Sequence, residues 1–147
     1  MTQPVPPFDG ITEASIVRLV DDFYSKVRCD RELGPIFDRA LAEHEWPAHL
    51  AKMYAFWSSV MLTSGRYKGD PVATHRRVIG IEPGLFARWL DLFEATAMEL
   101  FAPEHAAAFA VKARRIAESL KLVLFFRPDR PWTQDLRNRP PLRQGAV

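Results

Sequence analysis

Apolar side chains recur at steps of three and four along four stretches of this chain. In the first, Ile16, Val17, Val20, Phe23, Tyr24 and Val27 share one face, while Arg18, Asp21, Asp22, Lys26 and Arg28 take the other. Trp46, His49, Leu50, Met53, Phe56, Trp57, Val60 and Met61 form the second stripe, and Leu85, Phe86, Trp89, Leu90, Phe93, Ala97 and Leu100 the third. The fourth runs through Phe109, Ala110, Ala113, Ile116, Ala117, Leu120, Val123 and Leu124, and its alanines allow a neighbouring helix to approach closely. Such spacing lays side chains on one face of an α-helix. No stretch alternates with a period of two for long enough to make a strand, so the expected fold is all-α with four substantial helices.

Helix boundaries follow from local chemistry. Thr12 reads as a cap with Glu13 in the first turn, where a negative charge meets the positive end of the helix dipole. Pro47 suits the start of the second helix, expected from Glu45 to Thr63, and Ser64-Gly65 ends it. The following Gly65-Arg66-Tyr67-Lys68-Gly69-Asp70-Pro71 is a run of turn formers, with His75 on a short segment just beyond it. Glu82-Pro83-Gly84 and Pro103-Glu104 open the last two helices. Between the first and second, Arg31 to Phe37 is broken by Gly34 and Pro35, which predicts short turns that bring Ile36 and Phe37 to the core. Residues 1–10 are proline-rich and read as an extended arm, with Phe8 able to tuck onto the body. Residues 11–126 form the domain, and 127–147 a tail rich in proline and arginine, expected to be disordered with Trp132 as its one candidate anchor.

Composition narrows the class. A chain of 147 residues that is 48% hydrophobic has room for one domain with a real core. The single Cys29 can make neither an internal disulfide nor a cysteine metal cluster. The opening residues lack the basic start and apolar run of a secretory leader, and no stretch reaches the roughly 18 apolar residues of a membrane span, so a soluble cytoplasmic protein is expected. The net charge is +2, of which residues 127–147 contribute +3 through five arginines and two aspartates, leaving −1 for residues 1–126. With a nearly neutral body and no groove of alternating aromatic and basic residues, nucleic-acid binding is not expected.

The chemistry centres on two histidines. His49 lies within an apolar helical face and His75 just past a turn, and each is open to two readings: a satisfied core residue or a ligand. Tyr24 also points inward, and a buried phenol needs a partner, whether a neighbouring carbonyl or a ligand. His44 is five residues before His49, roughly 140° around a helix, so the two are not an i, i+4 metal pair. Four helices, one inward histidine, a second in an irregular segment and walls of Tyr, Phe and Trp together describe a haem pocket.

At these residues the chain resembles a known family. Phe23-Tyr24-Ser25-Lys26-Val27, Leu33-Gly34-Pro35-Ile36-Phe37, Trp46-Pro47-Ala48-His49-Leu50-Ala51-Lys52-Met53, Ala55-Phe56-Trp57 and Arg88-Trp89-Leu90-Asp91-Leu92-Phe93-Glu94 are similar, in order and spacing, to signatures of group III truncated haemoglobins across residues 11–126. The resemblance implies a two-over-two helical sandwich around haem b, with the helices of Tyr24 and His49 packed on those of Trp89 and Phe109. It makes His75 the proximal ligand of the haem iron. Tyr24, His49 and Trp89 become the distal ligand-binding residues, and Phe37 and Met53 pack on the haem. Met53 stands where the family more often has Ile or Leu, and Arg76-Arg77-Val78-Ile79-Gly80 departs from the family's apolar, proline-containing segment. Lys52, Arg76 and Arg77 are open to two readings, partners of the haem propionates or ordinary solvated charges.

Three functions follow as expectations. One is reversible binding of a diatomic gas (oxygen, nitric oxide or carbon monoxide), with the Tyr24 hydroxyl and the Trp89 indole N–H as donors to a partly negative ligand atom. Another is an enzyme on the same pocket, for nitric oxide dioxygenation or peroxide chemistry. It would need a separate reductase, because the chain has no flavin or nicotinamide fingerprint and no room for a second domain. The third, a helical interaction or sensor module, does without haem, and an absorption band near 400 nm would rule it out.

Overall fold

Helix α1 (Glu13–Cys29) begins where expected. The Thr12 side chain accepts a hydrogen bond from the Ser15 backbone N–H, and the Ser15 hydroxyl accepts one from that of Thr12, a reciprocal cap. The computed structural model describes residues 6–125, so the proposed tail lies outside the described residues. After α1 come α2 (Leu33–Ala40), a 3₁₀ turn (Glu43–Glu45), α3 (Trp46–Leu62), α4 (Pro71–Arg76), α5 (Pro83–Leu100) and α6 (Pro103–Phe125). The described residues contain no strand; Phe8 and Phe101 form an isolated bridge, in which the Phe8 N–H donates to the Leu100 carbonyl at 3.0 Å.

Helices α1 and α3 pack together, α5 and α6 pack together, and α1 lies on α5. This is the two-over-two arrangement expected of the helices carrying Tyr24, His49, Trp89 and Phe109. Phe93 of α5 is fully buried at its centre. Its ring stacks on Trp57 of α3 at 4.7 Å and on Trp89 at 5.3 Å, and meets Phe23 of α1 and Phe109 of α6 edge-on at 5.2 and 6.2 Å. A second, smaller core gathers Phe86, Ala117 and Leu120, with Val72 and Ile81 against it, and Leu90 and Ile116 join the two. The apolar stripe of α6 leaves the core at its C-terminal end, where Leu122 and Val123 are exposed.

One expectation is corrected. Residues 33–40 form a continuous helix, not a set of short turns. Pro35 is the third residue of α2, where a backbone N–H has no intrahelical partner to lose. Gly34 packs so tightly on the end of α1 that a Cβ there would sit 2.8 Å from the Arg28 carbonyl oxygen. The helix buries Leu33, while Ile36 and Phe37 are only half-buried.

Asp30 secures this corner. Its carboxylate accepts from the backbone N–H groups of Glu32 and Leu33 at 3.0 and 2.9 Å and from both Nε and Nη2 of Arg88 on α5, at 2.8 and 2.5 Å. The Arg88 hydrogen bond, outweighing the opposing effect of burial and helped by the two backbone donors, holds the Asp30 carboxyl below the usual carboxylate range. A depressed folded-state value means that the stability Asp30 contributes is present above the unfolded value, about 3.9, and is lost as pH falls through the lower folded value. Asp30→Asn is therefore expected to lower the urea-unfolding free energy at pH 7 by about 2 kcal/mol. The gap to the parent should narrow on acidification below about pH 4; a gap that is constant across this range would show that the carboxylate charge plays no part.

Candidate functional site

His49 is the fourth residue of α3 and half-buried. Its ring stands edge-on to Tyr24 at 5.0 Å and 87°, to Trp46 at 5.3 Å and 86°, and to Phe37 at 6.2 Å and 65°. These are the geometries that aromatic quadrupoles prefer. No hydrogen-bond partner reaches its buried Nε2, the one such buried side-chain nitrogen or oxygen among the described residues. Burial first, then the positive charges of Lys52 and His75, push the His49 imidazole down to about 4. The ring is therefore neutral at pH 7.

His75 comes from a different element and rests on the second core. Asp70 caps α4 by accepting from the Ala73 N–H at 3.1 Å, and Pro71 occupies the first turn, so the segment expected to be irregular is a short helix. His75 Nδ1 lies 2.7 Å from the Pro71 carbonyl oxygen. A carbonyl can only accept, so Nδ1 carries a proton, and in the neutral tautomer Nε2 is the nitrogen that holds the lone pair. The ring stacks on Phe86 with centroids 6.3 Å apart. An imidazole with one nitrogen tied to a carbonyl is oriented as metal-binding histidines are. The two imidazoles are close enough for the charge of His75 to affect His49.

Tyr24 is 6% exposed, and the Trp89 indole lies near its phenol. Indole nitrogen is a donor only, so toward Trp89 the phenol oxygen can only accept, and the Tyr24 O–H is available to donate elsewhere. Burial pushes the phenol above its ordinary value, with Trp89 opposing, so the proton stays on. Phe37 and Met53 are half-buried against the same core. Lys52 and Arg76 are exposed and form no ion pair among the described residues. Arg76 and His75 line a cavity of about 330 Å³ together with Ile81, Val123, Leu124 and Phe125.

The structure thus brings Tyr24, Phe37, His49 and Trp89 into one aromatic cluster, with His75 approaching from α4. Sequence reasoning missed the polar contacts on the other side of α3. There the buried Ser58 donates to Glu13 at 2.6 Å, Tyr54 donates to Asp21 at 2.5 Å and Arg66 pairs with Glu13 at 2.5 Å. It also missed Arg28, whose guanidinium lies 4.5 Å over the Trp46 ring. These partners are 18 to 53 residues apart in sequence, so no local pattern announces them.

A proton-linked effect on stability follows. With its folded value near 4 and an unfolded value of about 6.5, His49 binds more protons when unfolded at pH values between the two, so it lowers stability as pH falls through that window and has no effect above it. In the haem-free protein, His49→Leu is expected to gain about 2 kcal/mol over the parent at pH 4.5 relative to their difference at pH 7.5. Parallel unfolding curves at the two pH values check this, and an unchanged difference would mean that the imidazole is solvated.

No family model matches the sequence. The group 3 truncated hemoglobin ctb of Campylobacter jejuni is 34% identical over 120 residues, 80% of this chain and 94% of that protein. A crystal structure of a group III truncated hemoglobin from Campylobacter jejuni superposes with a TM-score of 0.75 at 34% identity, covering 80% of this chain and 94% of the other. At this identity and coverage, the chain belongs to the group 3 truncated haemoglobins.

Proposed function

We propose that this protein holds haem b between α3 and α4, with His75 as the axial ligand, and binds a diatomic gas on the side of Tyr24, His49 and Trp89. The observation that carries the reading is the His75 hydrogen bond to the Pro71 carbonyl, which occupies Nδ1 and leaves Nε2 as the nitrogen a metal would take. The orphaned, buried Nε2 of His49 supports it, since a polar atom without a protein partner fits a site completed by a ligand. Haem iron with one imidazole would supply an open coordination position for oxygen, nitric oxide or carbon monoxide. Phe37 and Met53 offer apolar contact to the ring, and Lys52 and Arg76 are cations available to its propionates.

The distal residues divide their work. Trp89, near the Tyr24 phenol, is placed to donate to its oxygen and so to turn the phenol O–H toward the ligand, making Tyr24 the direct donor and Trp89 its orienting partner. That bond favours ligands with a partly negative outer atom, as oxygen has, over the nearly uncharged carbon monoxide. His49, neutral and without a partner at Nε2, is in addition able to accept a proton. This favours, as a second reading, an enzyme of nitric oxide dioxygenation or peroxide chemistry that draws electrons from a separate reductase. Turnover of nitric oxide with such a donor separates the two readings. No described helix is long and apolar enough to cross a membrane.

His75→Ala is expected to abolish stable haem retention, measured as the ratio of haem to protein absorbance after gel filtration, while His49→Leu retains haem. Normal haem content and an unchanged ferrous spectrum in His75→Ala would exclude His75 as the ligand. Tyr24→Phe is expected to speed oxygen dissociation about 10- to 100-fold, with a much smaller change for carbon monoxide. Trp89→Phe should have a smaller effect, and almost none in a Tyr24→Phe background, because it acts through the phenol. Equal small changes for both gases would reduce these aromatic groups to space filling.

A further inference from the structure

His49 sits in the first turn of α3, and that helix starts without a side-chain cap. First turns fray unless something holds their unpaired backbone groups or covers their side chains. Trp46, the first residue of α3, is 4% exposed, and its ring meets Tyr24, Phe37 and His49. Arg28, at the end of α1, lies over that ring with its guanidinium carbon 4.5 Å from the ring centroid. The same guanidinium is bound at 2.5 Å by Glu43, in the 3₁₀ turn that leads into α3. The Glu43 side chain is 82% exposed, so the ion pair alone contributes little. Its effect is to hold a planar cation against the indole face, the geometry of a cation–π contact.

We propose that Arg28 is a positioning residue for His49: by clamping Trp46 between the end of α1 and the 3₁₀ turn, it fixes the start of α3 and keeps the His49 ring turned inward. The chain of contact runs from Glu43 to Arg28, from Arg28 to the Trp46 ring, and from Trp46 edge-on to His49. Among the described residues no hydrogen bond restrains the His49 side chain: its Nε2 has no partner there, Lys52 and His75 act on it through charge, and Tyr24 meets it ring to ring. Its orientation therefore depends on packing, and Arg28 closes the outer side of that packing. The consequence for ligand binding rests on the reading of His49 as a distal group; the positioning itself does not.

The test compares Arg28→Met, Arg28→Lys and Glu43→Gln in the full chain, with and without haem. In the haem-free protein, the reaction of His49 with diethyl pyrocarbonate is followed by mass spectrometry, with the exposed His44 as internal reference. Arg28→Met should raise the relative rate at His49 about fivefold, the population shift that about 1 kcal/mol produces. Arg28→Lys, which keeps a cation over the ring, should stay near the parent, and Glu43→Gln should fall between. In the haem-loaded protein, Arg28→Met should redistribute the stretching bands of bound carbon monoxide, but not in a His49→Leu background. Unchanged His49 reactivity in both Arg28→Met and Glu43→Gln, with only a lower Tm, would overturn the proposal and leave a rim contact. Raised reactivity without any change in the carbon monoxide bands would uphold the positioning and count instead against His49 as a distal group.

Discussion

The packing of Phe93 is the constraint on which the rest depends. Its ring meets aromatic partners from all four long helices: Phe23 of α1, Trp57 of α3, Trp89 of its own α5 and Phe109 of α6. Each aromatic pair adds about 0.5 to 1.5 kcal/mol to the burial of its rings. Its larger effect is geometric, because stacked and edge-on rings tolerate little sliding. With Phe93 seated, Trp89 is held one helical turn away, stacked nearly parallel at 2°, and Phe23 carries its neighbour Tyr24 into the same cluster.

Around that centre, polar groups are treated in two ways. On one side of α3, Ser58, Tyr54 and Ser59 each have a defined partner, and they tie the helix to α1 and to the loop that follows it. On the other side, His49 is left with a buried nitrogen that no described residue satisfies, beside the phenol of Tyr24. Burying an unpaired polar atom costs on the order of 1 to 3 kcal/mol. A fold that satisfies the outer side of this helix and tolerates an orphan on the inner side is organised around the inner side. His75 follows the same logic on α4, one nitrogen bound to the Pro71 carbonyl and the other left for a ligand.

Much of this was legible in the sequence because it is local. Helix periodicity marked four helices and placed Tyr24, His49 and Trp89 on inward faces; Thr12, Pro47 and Pro83 marked starts that the structure keeps within a residue or so. Motif spacing was enough to identify the family, since a succession of short signatures in order is far less accidental than any one of them. Where local rules misled, a tertiary contact had overridden them. Gly34 and Pro35 read as breakers, yet α2 forms through them, because Asp30 caps its start and the close approach to Arg28 requires a glycine.

The sequence by itself therefore determined the four long helices, their buried faces and the residue types of the site, all of which depend on intervals of three or four positions. Only the tertiary structure decided how those residues act on one another. Whether Trp89 donates to Tyr24, whether His49 is satisfied, and whether Arg28 covers Trp46 are matters of distance and angle between elements 18 to 65 residues apart. Such pairings leave no periodic trace in the chain. They are set by the way the aromatic core fixes the helices relative to each other, and hydrogen bonds and cation–π contacts weaken steeply within an ångström or two of misplacement.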